Sequence, residues 1–300
     1  RFVDAAVNQM HAVGGGFCLQ AFDIEGCYPN MPKKAILLAA TELVAQLRRQ
    51  GQKGVWIPRA STKKPGWCPP NKTQAGTWIP LQELVDILDF TLHNSFIRMP
   101  DGTILKQAEG IPMGDCLSPG MTILTCAWME REWMTGMSHL DRMFFKGCRY
   151  MDDILIFTSK ADDWNRERFI KDFTKSECYW SPLRLEETDA TQFLENTIEH
   201  SEDVVRYRLK NLNEKGCTVW RYHDYRSRID YATKRATILS ALKKADVMGS
   251  DAYQVKLAGI YKCQEFLALR YPAGILRHMC RQVAFATGHF VWFDVARAIA

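Results

Sequence analysis

Three hundred residues, 47% of them apolar and 24% charged, have the profile of a soluble globular protein that buries a large core in one large domain or two. No apolar run reaches the ~18 residues of a membrane span, no signal peptide is evident, and the ten cysteines form no CxxC pair. That argues against a zinc finger or ribbon and for a reducing, intracellular compartment. Net charge is +5, yet residues 201–300 hold 17 Lys and Arg against 9 Asp and Glu, a local balance of +8. Such a basic third suits a polyanion partner or, equally, a solvated helical surface.

In chain order, residues 17–24, FCLQAFDI, read as a strand, with Phe17, Leu19, Ala21 and Asp23 on one face by period two. A helix follows, with Asn30 as N-cap, Pro32 near its first turn, and a stripe of Ile36, Leu37, Ala40, Leu43, Val44 and Leu47. Gly51 suits its stop. Residues 51–80 read as a long loop. Between Glu42 and Glu83 there is no acidic residue, while Arg48, Arg49, Lys53, Arg59, Lys63, Lys64 and Lys72 interleave with Trp56, Trp67 and Trp78. Cations and rings in alternation grip phosphates and stack on bases; a surface loop whose tryptophans pack back on the body explains them as well.

Residues 81–96 read as a helix with Leu81, Leu84, Val85, Leu88, Leu92 and Phe96 facing inward. RMPDGTILKQ reads as a hairpin turning at Asp101-Gly102. The loop GIPMGDCLSPG leads into an apolar helix through Trp128 and Trp133. Next comes CRYMDDILIF, Cys148 to Phe157, a hairpin with two carboxylates at its tip. A polar helical stretch follows residue 160, then a strand around Phe193, Leu194 and Ile198, and helices from about 230 onward. No internal repeat occurs.

The adjacent Asp152 and Asp153 pose a physical question. Neighbouring carboxylates repel, and burying either is costly. Aspartates facing water in a turn are one answer; a divalent cation is the other. If the strand ending at Asp23 and this hairpin share one antiparallel sheet, three carboxylates converge. Such a set suits two Mg²⁺ ions clamping the attacking and leaving oxygens of a phosphoryl transfer.

AFDIEGCYPNMP, GIPMGDCLSP and YMDD resemble, in order and rough spacing, the three palm motifs of reverse transcriptases, and FLENTIE resembles the segment after them. The style is closest to the Penelope-like and telomerase branch. The motifs span residues 17–200. The resemblance implies an α+β right-hand polymerase: residues 1–205 a palm with partial fingers, and 206–300 a helical thumb. It implies RNA-directed DNA synthesis with two Mg²⁺ or Mn²⁺ ions, an RNA template, a DNA primer and deoxynucleoside triphosphates. Alternatives are a non-catalytic nucleic-acid scaffold derived from a polymerase and an RNA-directed RNA polymerase.

Carried over by residue, Asp23 and Asp152 are metal ligands, Asp153 is the weaker third carboxylate, and Ile24 joins the ligand set. Tyr28 matches the aromatic gate that leaves no room for a 2′-hydroxyl. Met113 and Gly114 line the nucleotide, Met113 standing where many relatives have Gln. Ser118 and Pro119 start the next helix near the template, and Lys243 and Lys244 hold the duplex. Relatives often carry a lysine before FL as proton donor; here Glu186 and Glu187 stand nearest. Only 22 residues precede Asp23, and the chain begins with Arg1, so a fingers portion is expected to be missing. Gly259 to Tyr261, GIY, lacks a YIG partner, so no endonuclease is expected. The nucleus is implied by the resemblance alone.

Overall fold

The computed structural model describes residues 2–59, 64–67, 75–201, 203–213 and 221–299. Helix α1 (Phe2–Val13) precedes β1 (Phe17–Ile24), the strand expected from its period. A single turn, α2 (Cys27–Asn30), separates β1 from α3 (Lys33–Arg49). Asn30 is therefore not the N-cap of the long helix. Pro32 is, with no side-chain cap, because a proline fixes the entry dihedral. Asn30 Nδ2 donates to the Glu25 carbonyl instead, at 3.2 Å. The stripe of α3 buries Ile36, Ala40 and Val44, but Leu43 is exposed.

The basic segment expected as a loop contains a hairpin, β2 (Gly54–Pro58) and β3 (Gly76–Pro80), with Trp56 opposite Trp78. Its glycines explain why. A Cβ on Gly54 would lie 2.6 Å from the Trp78 ring, and one on Gly76 2.5 Å from the Trp56 ring. The indoles thus lie over bare backbone, and Trp56 is buried. Trp67 is exposed; Lys63 and Lys72 fall outside the described residues.

Helix α4 (Leu81–His93) stops before Phe96, which opens β4 (Phe96–Arg98) and is exposed rather than inward. β4 pairs with β5 (Ile104–Lys106) across the expected turn. Then come α5 (Ser118–Thr135), α6 (His139–Met143), β6 (Phe145–Tyr150), β7 (Asp153–Ser159) and α7 (Asp163–Asp172). Only β7 is buried along nearly its whole length; β6 is not. The chain continues through β8 (Leu185–Thr188), β9 (Gln192–Phe193), β10 (Asn196–His200) and β11 (Val205–Leu209). Leu194 is not strand but a turn residue with φ 55°. Four helices close the chain: α8 (Tyr231–Val247), α9 (Ala252–Ala268), α10 (Ala273–Thr287) and α11 (Val291–Ala298).

The main sheet has the order β6-β7-β1-β8, and a smaller one β11-β10-β9. Ile24 N–H donates to the Asp152 carbonyl and Lys160 N–H to the Gly16 carbonyl, each at 3.1 Å. As one index rises the other falls, so β1 and β7 run antiparallel. The architecture is α+β with antiparallel sheets, as expected.

Contacts divide the chain into two compact units. One comprises Phe22–Ile154 and Asp162–Glu187. Its α3 packs on α4 and α5, and an aromatic cluster of Phe22, Trp133, Phe145, Phe169, Phe173 and Tyr179 fills it, with ring centroids 4.3–6.1 Å apart. The other comprises Arg1–Ala21, Leu155–Ala161 and Thr188–Ala300. Its core is the bundle α8–α11, built around Phe266, Leu276, Cys280, Val283 and Trp292. Among the described residues no helix is long and apolar enough to cross a membrane.

Candidate active site

The end of β1 and the start of β7 belong to one compact unit, and the Ile24–Asp152 hydrogen bond joins them. Asp23, Asp152 and Asp153 are all half-buried there. Burial, and then the charges of Asp152, Asp153 and Glu186, push the Asp23 carboxyl above its ordinary range. A backbone N–H bond from Ile24 pulls the other way. Asp153 is pushed up by burial and by Asp152. The two causes are those that disfavour an anion, so the cluster is repulsive as it stands. Glu186 is a contributor that the sequence placed only nearby; β8 lies next to β1, with Glu25 N–H donating to the Arg184 carbonyl at 2.9 Å.

Among the described residues no group of three or more His, Cys, Asp and Glu side chains is arranged to hold a metal ion by itself. The donors present are hard oxygens on partly open strand ends. They fit Mg²⁺, which takes one or two carboxylates and completes its shell with water and phosphate oxygens. Ile24 has a buried side chain without a donor atom, so its main-chain carbonyl is the only ligand it offers.

Tyr28 lies in α2, directly after β1 and half-buried. Its carbonyl accepts from Ile111 N–H at 2.9 Å, tying α2 to the GIPMG loop. Gly110 enforces the same approach: φ is 68°, and a Cβ there would lie 2.3 Å from the Pro29 carbonyl oxygen. The sequence reading chose Gly114 and passed over Gly110, although both stand in that loop. Gly114 has φ 89° with open space where a Cβ would be, so its need for glycine is conformational. Met113 beside it is 78% exposed. Ser118 begins α5, and Pro119 sits in its first turn. The Ser118 hydroxyl is buried and donates to the Pro112 carbonyl at 2.7 Å, bracing the loop against the helix. Lys243 and Lys244 belong to the other unit, on α8. Lys243 is exposed, while Lys244 pairs with Glu195.

Four further residues, Met151, Arg149, Glu130 and Tyr179, escaped the sequence reading. Met151, at the tip between β6 and β7, has φ 57°, a left-handed conformation that costs a bulky residue about 1–3 kcal/mol. Arg149 Nη1 donates to its carbonyl at 2.9 Å. Arg149 Nε also donates to Glu130 on α5, at 2.5 Å, and the Tyr179 hydroxyl donates to the same carboxylate oxygen at 2.6 Å. Residues 130, 149 and 179 are distant in sequence, so only the fold brings them together.

No family model matches the sequence, and neither does any curated protein. Solved structures do. A telomerase from Candida albicans, in complex with a TWJ fragment of telomeric RNA, superposes with a TM-score of 0.62 at 10% identity, over 99% of this chain and 49% of that one. The fold is that of a polymerase palm. The apo telomerase of Candida tropicalis gives 0.52 at 11% identity, over 94% of this chain and 44% of that one. The same species' enzyme with the TWJ RNA gives 0.50 at 11%, over 95% and 42%. The chain thus spans less than half the length of these telomerases.

Proposed function

We propose that this chain is the palm-containing part of an RNA-directed DNA polymerase of the branch that includes telomerase and the Penelope-like elements. The observation that carries the proposal is the repulsive carboxylate cluster on neighbouring strand ends, Asp23 against Asp152 and Asp153, in a palm fold. Such a cluster is unfavourable alone and favourable around cations. Two Mg²⁺ ions bound there would activate the primer hydroxyl and stabilise charge on the leaving pyrophosphate. The protein's own work is positioning. Asp23, Asp152 and the Ile24 carbonyl would hold the ions, with Asp153 assisting. Tyr28 would pack under the nucleotide sugar, and the Met113-Gly114 backbone would line the nucleotide. Ser118 and Pro119 would set α5 beside the template. Residues 1–205 would act as palm with partial fingers, and 206–300 as a thumb gripping the RNA/DNA duplex through Lys243. The same reading implies work in the nucleus.

Primer extension on an RNA template tests this. Wild-type chain should extend a DNA primer with deoxynucleotides in Mg²⁺ or Mn²⁺. Asp23→Asn and Asp152→Asn should each lose about 10³-fold in rate, the several kcal/mol of charge stabilisation that metal ions supply. Absence of extension with either ion, or extension that survives both substitutions, refutes the reading. A preference for ribonucleotides would reassign it to RNA synthesis.

A further inference from the structure

We infer that Arg149 is a positioning residue for the metal-binding turn, acting through the Met151 carbonyl and itself held by Glu130 and Tyr179; the inference rests on the functional reading above. The Asp152 and Asp153 carboxylates are presented by a turn whose tip residue, Met151, is left-handed at φ 57°. A non-glycine residue stays there only when its surroundings hold it. The Met151 carbonyl belongs to the peptide that leads into Asp152, so fixing it fixes the direction in which Asp152 leaves the turn.

Arg149 is built for that task. Its side chain is 9% exposed. Nη1 donates to the Met151 carbonyl at 2.9 Å and Nη2 to the Ile123 carbonyl at 3.4 Å. On the other edge, Nε donates to Glu130 Oε1 at 2.5 Å and Nη2 to Oε2 at 3.4 Å. A planar guanidinium fork can span these acceptors together; a lysine ammonium, a point donor on a flexible stem, cannot. Tyr179, fully buried, adds a 2.6 Å bond to Glu130 and so fixes the carboxylate that fixes the arginine. The relay links α5, which follows the GIPMG loop, to the turn that carries the carboxylates.

A buried ion pair with no role beyond packing would predict something different. Replacing both partners by apolar residues of similar volume often leaves stability unchanged or raises it. The double variant Glu130→Leu/Arg149→Met therefore removes the clamp while keeping the core filled. The readout is Mn²⁺ binding by the whole 300-residue chain, titrated by electron paramagnetic resonance, with circular dichroism and thermal unfolding as checks of fold. The double variant should stay folded and bind Mn²⁺ about 10–100-fold more weakly, the usual effect of removing a group that orients metal ligands. Arg149→Lys should not restore binding, and Tyr179→Phe should weaken it by about threefold. A folded double variant with wild-type Mn²⁺ binding overturns the inference, as does full binding in Arg149→Lys. If the double variant does not fold, Tyr179→Phe decides, and unchanged binding in it counts against the inference. Primer extension on the same samples separates the two readings. Wild-type chain that binds Mn²⁺, loses it in the variants and yet extends no primer keeps Arg149's role and sinks the polymerase reading. Wild-type chain that binds no Mn²⁺ sinks both.

Discussion

The turn at Asp23 and Met151–Asp153 and the helical bundle α8–α11 treat buried polar groups in opposite ways. In the bundle the buried ions Lys234, Asp246, Lys262 and Glu265 all have partners. Asp246 accepts from His289 Nδ1 at 2.8 Å and from Trp292 Nε1 at 2.7 Å. Lys262 donates to both oxygens of Glu265 at 2.8 Å. Lys234 donates to the Tyr225 and Ser227 carbonyls at 2.8 and 2.7 Å, so neither Lys234 nor Lys262 is available to grip phosphate. At the turn, carboxylates crowd one another and Met151 is held left-handed. Contacts are satisfied in the bundle, and repulsion between carboxylates is left unrelieved at the turn.

The sharpest way to break this contrast is to cut into the bundle. Trp292 is fully buried and packs its ring against Gly259, where a Cβ would lie 2.8 Å from it. Trp292→Ala should cost about 3–5 kcal/mol in denaturant unfolding followed by circular dichroism. It also leaves Asp246 with one donor fewer. A loss below about 1 kcal/mol would mean that the bundle is not the stable part of its unit. Gly259 of α9, part of the GIY triplet, is thus explained by the Trp292 ring of α11 that packs on it.

At the turn the sign should reverse. Burial and neighbouring charge raise the Asp23 and Asp153 carboxyls in the folded chain. The folded state therefore holds these protons more tightly than the unfolded chain does. Stability is higher below the ordinary carboxylate range and falls as pH rises through the raised folded values. Without divalent ions, Asp153→Asn should raise the melting temperature by roughly 2 °C at neutral pH, and the gain should vanish at acid pH. Added Mg²⁺ should raise wild type towards the variant. A variant that melts lower than metal-free wild type at neutral pH would show that the carboxylates are not in conflict.

Elements around the turn differ in how much of them the sequence reveals. β1, the Asp152-Asp153 hairpin and α5 followed from period and spacing, since one strand or one turn carries the whole signal. The β2–β3 hairpin was missed because glycine and proline argue for loop; there the glycines are partners of the Trp56 and Trp78 rings rather than turn residues. Phe96 was misassigned because a helical stripe extrapolates past its true end at His93. The Arg149–Glu130–Tyr179 relay lay beyond any local pattern, because its members sit on β6, on α5 and after α7. Around the carboxylates, then, residue types were readable, whereas the groups that hold them in place were not.

A smaller effect concerns the nucleotide sugar. Tyr28 is anchored through its carbonyl to Ile111, so substitution of its side chain leaves that hydrogen bond in place. Tyr28→Ala should raise ribonucleotide use relative to deoxynucleotide by about tenfold or more, the scale on which a pocket discriminates one small group. Competition between the two nucleotide types in primer extension measures it. An unchanged ratio rejects Tyr28 as the gate.

The smallest expected effect distinguishes two neighbouring lysines. Both belong to α8, within a C-terminal third of balance +8. Lys244 is paired with Glu195, which also pairs with Arg221 at 3.4 Å. Its charge is already compensated before any duplex arrives. Lys243 is exposed. Each phosphate that a free cation neutralises on a duplex steepens the log–log salt dependence of binding by about 0.9. If α8 grips a duplex, Lys243→Ala should lower that slope by about 0.9, while Lys244→Ala should lower it less, because binding there would first have to break the pair with Glu195. Glu195→Gln should then strengthen binding at low salt by freeing Lys244. Fluorescence anisotropy with an RNA/DNA duplex at several salt concentrations gives all three slopes. Equal slopes for wild type and Lys243→Ala would assign α8 to plain solvation. Equal losses at the two lysines would show that the Glu195 pair is too weak in solution to compensate Lys244.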